Sequence, residues 1–304
     1  MPGTRDEIGP GSEPLVDERL LRAHVEQLAG AIGERNVFRP RALAAARRYI
    51  EQAFEGQGYR VAAQVFHANG TDCANLEVTR PGMRSRDILL IGAHYDSVEG
   101  CPGANDNGSG VAALLELSRL FAALAPALTL RFVAFVNEEP PFFATERQGS
   151  MVYAKAARAR GDPIRLMASL ETIGYYTQRP GSQHYPPLFN LFYPSRGNFL
   201  GFVSDFRSRS AMHRLVRYFR SGSDFPLEHA ATFRFVPGAG WSDHRSFWLQ
   251  GYRALMVTDT APFRYPYYHS PADTPDKLCY PDFTRATEGL YRAFAGLAMA
   301  DGSG

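Results

Sequence analysis

Acidic residues and histidines recur in this chain where apolar runs end. Ile88-Leu89-Leu90-Ile91 leads into Gly92-Ala93-His94-Tyr95-Asp96-Ser97, the run Leu128 to Val136 into Asn137-Glu138-Glu139, and Ile164 to Leu170 into Glu171-Thr172. A later run, Ala254 to Thr258, precedes Tyr267-Tyr268-His269-Ser270-Pro271-Ala272-Asp273-Thr274. Asp106 stands in the loop Gly103-Ala104-Asn105-Asp106-Asn107-Gly108-Ser109-Gly110, just ahead of a helical pattern. Imidazoles and carboxylates on rigid strand ends suit a divalent cation, and these ligand types favour zinc while allowing cobalt or manganese.

Two ions fit this set better than one. A carboxylate has two oxygens, so Asp106 can join an ion held by His94 and Glu171 to a second held by Glu139 and His269. Ions in two-metal hydrolytic sites stand about 3.5–4 Å apart and lower the pKa of a water between them. Glu138 is then left to accept the attacking water's proton and pass it to the leaving group. Asp96 lies two residues beyond His94, on the same face of extended backbone, and is expected to accept from the other ring nitrogen and fix the tautomer.

The elements that must position these groups follow from apolar periodicity. Solid apolar strands alternating with helical stretches, at Val111 to Leu120 and Ser150 to Arg158, imply an α/β fold with a mainly parallel sheet covered on both faces. In such sheets the strand ends open on one crevice. Two helices lead the chain, through Leu15 to Ile32 and Pro40 to Phe54, followed by a hairpin of Val61 to Phe66 and Ala74 to Val78 around Asn69-Gly70-Thr71-Asp72. Residues 1–14 read as a loose arm and 15–304 as one domain. The aromatic and arginine-rich stretch 175–236 reads as an insertion over the active-site face.

Composition narrows the function classes. Lys and Arg number 33 against 31 Asp and Glu, a formal +2 that argues against a nucleic-acid or membrane surface. Cys73, Cys101 and Cys279 are odd in number and far apart, so neither a disulfide framework nor a CxxC knuckle is expected. No apolar run reaches membrane-spanning length and the start has no signal-peptide pattern, so a soluble, cytoplasmic protein is expected as the sequence stands; a secreted chain trimmed of its leader would read alike.

Together the segments His94-Tyr95-Asp96-Ser97, Gly103 to Gly110, Asn137-Glu138-Glu139-Pro140-Pro141-Phe142-Phe143, Leu170-Glu171-Thr172-Ile173-Gly174-Tyr175, Ser242-Asp243-His244 and Tyr268 to Thr274 resemble the landmarks of the M28 family of zinc aminopeptidases. The resemblance covers most of residues 88–280 in the expected order. It implies a three-layer α/β/α sandwich with a central mixed sheet, and release of N-terminal residues from peptides with a free α-amine. It implies two zinc ions on His94, Asp106, Glu139, Glu171 and His269, Glu138 as general base and Asp96 as the histidine's partner. Glu171 departs from the aspartate common in the family. The tyrosine that some members carry shortly before Ser-Asp-His is replaced by Gly238-Ala239-Gly240-Trp241, leaving Tyr265, Tyr267 or Tyr268 as substitutes.

Plainer readings stand beside these. Asp106 could be a helix cap, Glu138 and Glu139 solvated loop acids, and Phe263, Tyr265, Tyr267 and Tyr268 packed core. Asp243 and His244 read equally as a structural network or cap and as supports of the catalytic groups, and are left outside the site, and Cys101 reads as incidental. Two rival functions share the scaffold. A glutaminyl cyclase would use one zinc, and a non-catalytic binding module would show gaps among the ligands.

Overall fold

The apolar runs form one eight-stranded sheet in the computed structural model, which describes residues 15–300; the arm expected at 1–14 lies outside the described residues. In chain order the strands are β1 (Ala62–Ala68), β2 (Thr71–Arg80), β3 (Ile88–His94), β4 (Thr129–Phe135), β5 (Ile164–Glu171), β6 (Leu200–Ser204), β7 (Leu227–Ala231) and β8 (Ala254–Thr258). Across the sheet they run β1-β2-β4-β3-β5-β8-β6-β7. The central block β4-β3-β5-β8 is parallel. The hairpin β1-β2 adds antiparallel on one side, while β6 adds antiparallel to β8 on the other and pairs in parallel with β7. From β3 the chain goes to β4 on one side and then to β5 on the other, and this reversal opens a crevice at the carboxyl ends of the central strands.

Side chains alternate between two cores, as the pleat requires. Leu89 and Ile91 join Phe132, Leu166 and Val257 in the larger core, with Leu21 of α1 (Glu18–Val25), Ile50 of α2 (Pro40–Gly56), Leu114 of α3 (Gly110–Ala122), Phe219 of α5 (Arg209–Gly222) and Phe294 of the C-terminal helix (Tyr280–Met299). Ile88 and Leu90 face the opposite core with Val133, Phe135 and Met167, covered by Tyr153 of α4 (Gly149–Arg160) and Phe247 of α6 (His244–Leu249). The result is the expected three-layer α/β/α sandwich. No helix among the described residues is long and apolar enough to cross a membrane.

Part of the stretch 175–236 enters the sheet rather than lying over it. β6 and β7 extend the edge, and α5 between them packs through Leu215 and Phe219 on the larger core. Both strands are five residues long, one containing Gly201 and the other Glu228 and His229. Neither offers the continuous apolar run that marks the central strands.

The loop after β3 is fastened by a cation. Arg35 is fully buried and donates from Nε to the Tyr95 carbonyl at 2.7 Å, from Nη2 to Gly103 at 2.8 Å and from Nη1 to Gly33 at 3.2 Å. Burial pulls its pKa down to about 10, while the charges of Asp273, Asp96, Asp106 and Glu139 work the other way. Replacing Arg35 by Met leaves these carbonyls buried without donors, so unfolding in urea should show a loss of about 3–5 kcal/mol. A loss below about 1 kcal/mol, the scale of an exposed charge, would contradict this role.

Candidate metal centre

Every central strand leads to at least one acidic or imidazole group in the crevice. His94 ends β3, Glu138 and Glu139 follow β4, Glu171 ends β5, and His269 lies in the loop beyond β8. Left-handed backbone at Asn137 (φ 59°), Thr172 (φ 48°) and His269 (φ 51°) turns the chain at these points, a conformation held only when its surroundings enforce it.

Asp106 sits at the middle of the group. Its Oδ1 is 3.4 Å from His94 Nε2, and its Oδ2 is 3.1 Å from His269 Nε2. Glu171 Oε2 lies 3.4 Å from His94 Nε2 on the first side, and Glu139 Oε2 lies 3.4 Å from His269 Nε2 on the second. The five expected ligands therefore converge, with Asp106 turning one oxygen to each half. Donor atoms of His94, Asp106 and Glu139 all fall within 4.8 Å of one another. His94 Nε2, Glu138 Oε1 and Glu139 Oε1 are buried with no hydrogen-bond partner, which is unfavourable unless something else engages them. Imidazole and carboxylate donors left open in this way fit a divalent cation such as zinc.

Electrostatics carry the same message. Burial disfavours a charged His94, yet Glu171, Asp106 and Asp96 outweigh it and hold its pKa well above the usual imidazole value. At His269 burial is likewise overcome, by hydrogen bonds to Asp106 and Glu139, and the pKa rises to about 10. Burial and the charge of Asp106 push Glu139 up to about 7. Glu138 is driven higher than usual by burial, with Glu171, Glu139 and Asp243 adding repulsion against the pull of His94. So many acids buried together describe a site that attracts cations.

Other polar groups hold the ligand-bearing backbone. The Asp96 carboxylate accepts the amide N–H of Glu138 and of Glu139, each at 3.1 Å. It lies 3.6 Å from His94 Nδ1, beyond hydrogen-bond length, and that nitrogen is nearer the Asp96 backbone carbonyl at 3.2 Å. The Asp96 carboxylate thus stands beside the His94 ring, just outside hydrogen-bond length, while each of its oxygens takes one backbone amide. Asp273 does the same for the other loop, accepting from Asn105 N at 2.8 Å and Asp106 N at 3.1 Å. Asn107 Oδ1 accepts from Gly110 N and Thr172 N at 3.0 Å, and a Cβ on Gly110 would stand 2.2 Å from that oxygen. Ser242 Oγ donates to Glu171 Oε2 at 2.7 Å.

The structure also separates the tyrosines. Tyr265 donates to Asp273 at 2.7 Å and is buried. Tyr268 stacks on His269 with centroids 3.9 Å apart, and the charges of Asp106, Glu139, Glu171 and Glu138 all act on its hydroxyl. Tyr268 and Phe263 line a cleft beside Glu171, so the aromatic cluster is not all packed core. His244 donates from Nε2 to the Ala239 carbonyl at 2.8 Å, a structural bond. Asp243 is fully buried with both carboxylate oxygens unbonded, and burial followed by repulsion from Glu171 and Asp96 raises it to about 7 against the pull of His94.

Comparison with known proteins gives a concordant picture. Residues 75–294 match the model of peptidase family M28. The uncharacterized protein YfbL of Escherichia coli K12 is 38% identical over 251 residues, covering 80% of this chain and 76% of that protein. The aminopeptidase of Aneurinibacillus sp. strain AM-1 shares the fold at TM-score 0.72 and 19% identity, over 94% of this chain and 95% of that one. The glutaminyl cyclase of Fimbriiglobus ruber does so at TM-score 0.67 and 19% identity, over 96% and 98%.

Asn at position 96 keeps the shape but turns an amide donor toward one of the two backbone N–H groups. Asp96→Asn should therefore lower stability by about 1–3 kcal/mol in chemical denaturation, while Asp72→Asn on the exposed hairpin serves as a neutral control. Equal stability of the two variants would remove the backbone-holding role.

Proposed function

This chain belongs to peptidase family M28, and from that premise we propose that it is a di-zinc aminopeptidase removing the first residue from peptides with a free α-amine. The observation that carries the reading is the division of Asp106, one oxygen toward His94 and Glu171 and the other toward His269 and Glu139. His94, Asp106 and Glu171 would hold one ion, and His269, Asp106 and Glu139 the other. Bound divalent cations supply Lewis acidity for the scissile carbonyl and make the attacking water more acidic.

The chain's own residues do the rest. Glu138 has a buried oxygen without a partner, and its other oxygen lies 3.8 Å from His94 Nε2, too far for a hydrogen bond. It takes the proton from the attacking water and returns it to the nitrogen of the departing peptide, so the carboxylate is regenerated. Asp96 fixes the backbone from which Glu138 and Glu139 project. Tyr268 offers its hydroxyl to the oxygen on which negative charge develops, the role left open by Gly238 to Trp241. The cleft lined by Glu171 and Tyr268 receives the side chain of the first residue.

A single-zinc glutaminyl cyclase is the second reading, favoured by the compactness of His94, Asp106 and Glu139. It requires one zinc per chain and formation of pyroglutamate from N-terminal glutamine. Zinc content measured beside hydrolysis of leucyl p-nitroanilide separates the two.

Glu138→Gln should retain the zinc content of the parent and lose about 10²–10⁴-fold in kcat, the scale of a positioned base. Turnover at the parent rate would remove Glu138 from the reaction. Tyr268→Phe should lower kcat about 10²-fold or more with little change in KM, the pattern of a group that acts on the transition state. A rise in KM alone would reassign Tyr268 to substrate binding.

A further inference from the structure

One row of residues crosses the sheet away from the metal centre. Glu171 pairs with Thr258, Thr258 with Gly201 and Gly201 with Glu228, so these four project to the same face along β5, β8, β6 and β7. Three strand spacings separate the ends of the row, about 14 Å of backbone. Gly201 leaves the middle low: a Cβ there would already meet the Thr258 carbonyl at 3.3 Å and Thr260 Cγ2 at 3.4 Å. All four line a single cleft that opens to solvent.

The cleft combines aromatic walls with an unbalanced acid. Tyr185, Phe189, Tyr193, Trp241 and Phe263 line it, and no lysine or arginine does. Glu228, half-buried on the edge strand, enters no ion pair among the described residues. The charged group that acts on it is Arg220 of α5, whose guanidinium donates to the Leu227 carbonyl at 3.2 Å. α5 packs on the other face of the sheet, where Phe219 meets Phe202. The two phenols near Glu228 are committed elsewhere, Tyr185 to the Pro194 carbonyl at 2.6 Å and Tyr193 to that of His229 at 3.0 Å. Burial pushes the Glu228 carboxyl upward, as it does for an acid lacking a close cation.

We propose that this cleft selects a long cationic side chain, arginine or lysine, on the first residue of the substrate, with its aliphatic stem over Gly201 and its head among the aromatic rings at Glu228. Aromatic faces and a carboxylate attract the same cationic head, and a methylene stem is what an apolar floor accepts. A neutral aromatic side chain would fill the walls but leave the acid partly desolvated and unpaired. The inference rests on the aminopeptidase reading for the orientation of the substrate.

The test compares arginyl, lysyl and leucyl p-nitroanilides with the zinc-loaded protein, alongside calorimetric binding of arginine amide and leucine amide. The expected kcat/KM for arginine exceeds that for leucine by about tenfold or more, the scale of one desolvated charge pair. Glu228→Gln should lower that ratio at least about tenfold, whereas Glu228→Asp, which keeps the charge, should preserve most of it. Equal or better turnover of leucine, or a ratio untouched in Glu228→Gln, overturns the proposal and leaves the aminopeptidase reading standing. Binding of arginine amide that depends on Glu228, without hydrolysis of any anilide, supports the cleft's selectivity and sinks the aminopeptidase reading instead.

Discussion

The crevice brings like charges together. Asp106, Glu138, Glu139 and Glu171 are buried in one crevice, where their mutual repulsion is strong because little water screens it. Two imidazoles, His94 and His269, stand among them, and the surrounding acids raise both pKa values against the effect of burial. Divalent cations would relieve the same repulsion more completely, because each brings two charges to the point between the oxygens. The fold is the device that forces this unfavourable grouping and makes cation binding favourable.

Folding does so by fastening backbone rather than side chains alone. Asp96 grips the amides of Glu138 and Glu139, and Asp273 grips those of Asn105 and Asp106. Asn107 ties the Asp106 loop to β5 through the Leu170 carbonyl at 2.8 Å and the Thr172 amide at 3.0 Å. Arg35 closes the other side of that loop and contributes a fixed positive charge near the acids. Each clamp joins the loop of one parallel strand to another part of the crevice, so no single segment could hold its ligand geometry alone.

The parts readable from sequence were those with a local signature. His94, Glu138, Glu139 and Glu171 end solid apolar runs, and Asp106 sits in a loop crowded with glycine and asparagine, so their convergence follows from the parallel sheet itself. The central strands were legible for the same reason, whereas β6 and β7 are short, interrupted by Gly201 and by Glu228-His229, and declare themselves only through pairing. Asp273 was visible as part of a motif, but its contacts lie 168 and 167 positions earlier in the chain, beyond any local periodicity. Asp96 shows what spacing leaves out: the i, i+2 relation places it beside His94, but not the Glu138 and Glu139 amides that its oxygens accept. The proposal of Tyr268 rather than Tyr265 rests on a contact no spacing reveals, the Tyr265 hydroxyl donating to Asp273.

The division of the Asp106 oxygens between two cations is a proposal open to direct observation. Crystals of the zinc-loaded protein, with anomalous diffraction recorded at the zinc edge, test it most directly. Two peaks should flank the Asp106 carboxylate, one beside His94 and Glu171 and the other beside His269 and Glu139. A single peak at full occupancy, or zinc bound away from Asp106, would contradict it.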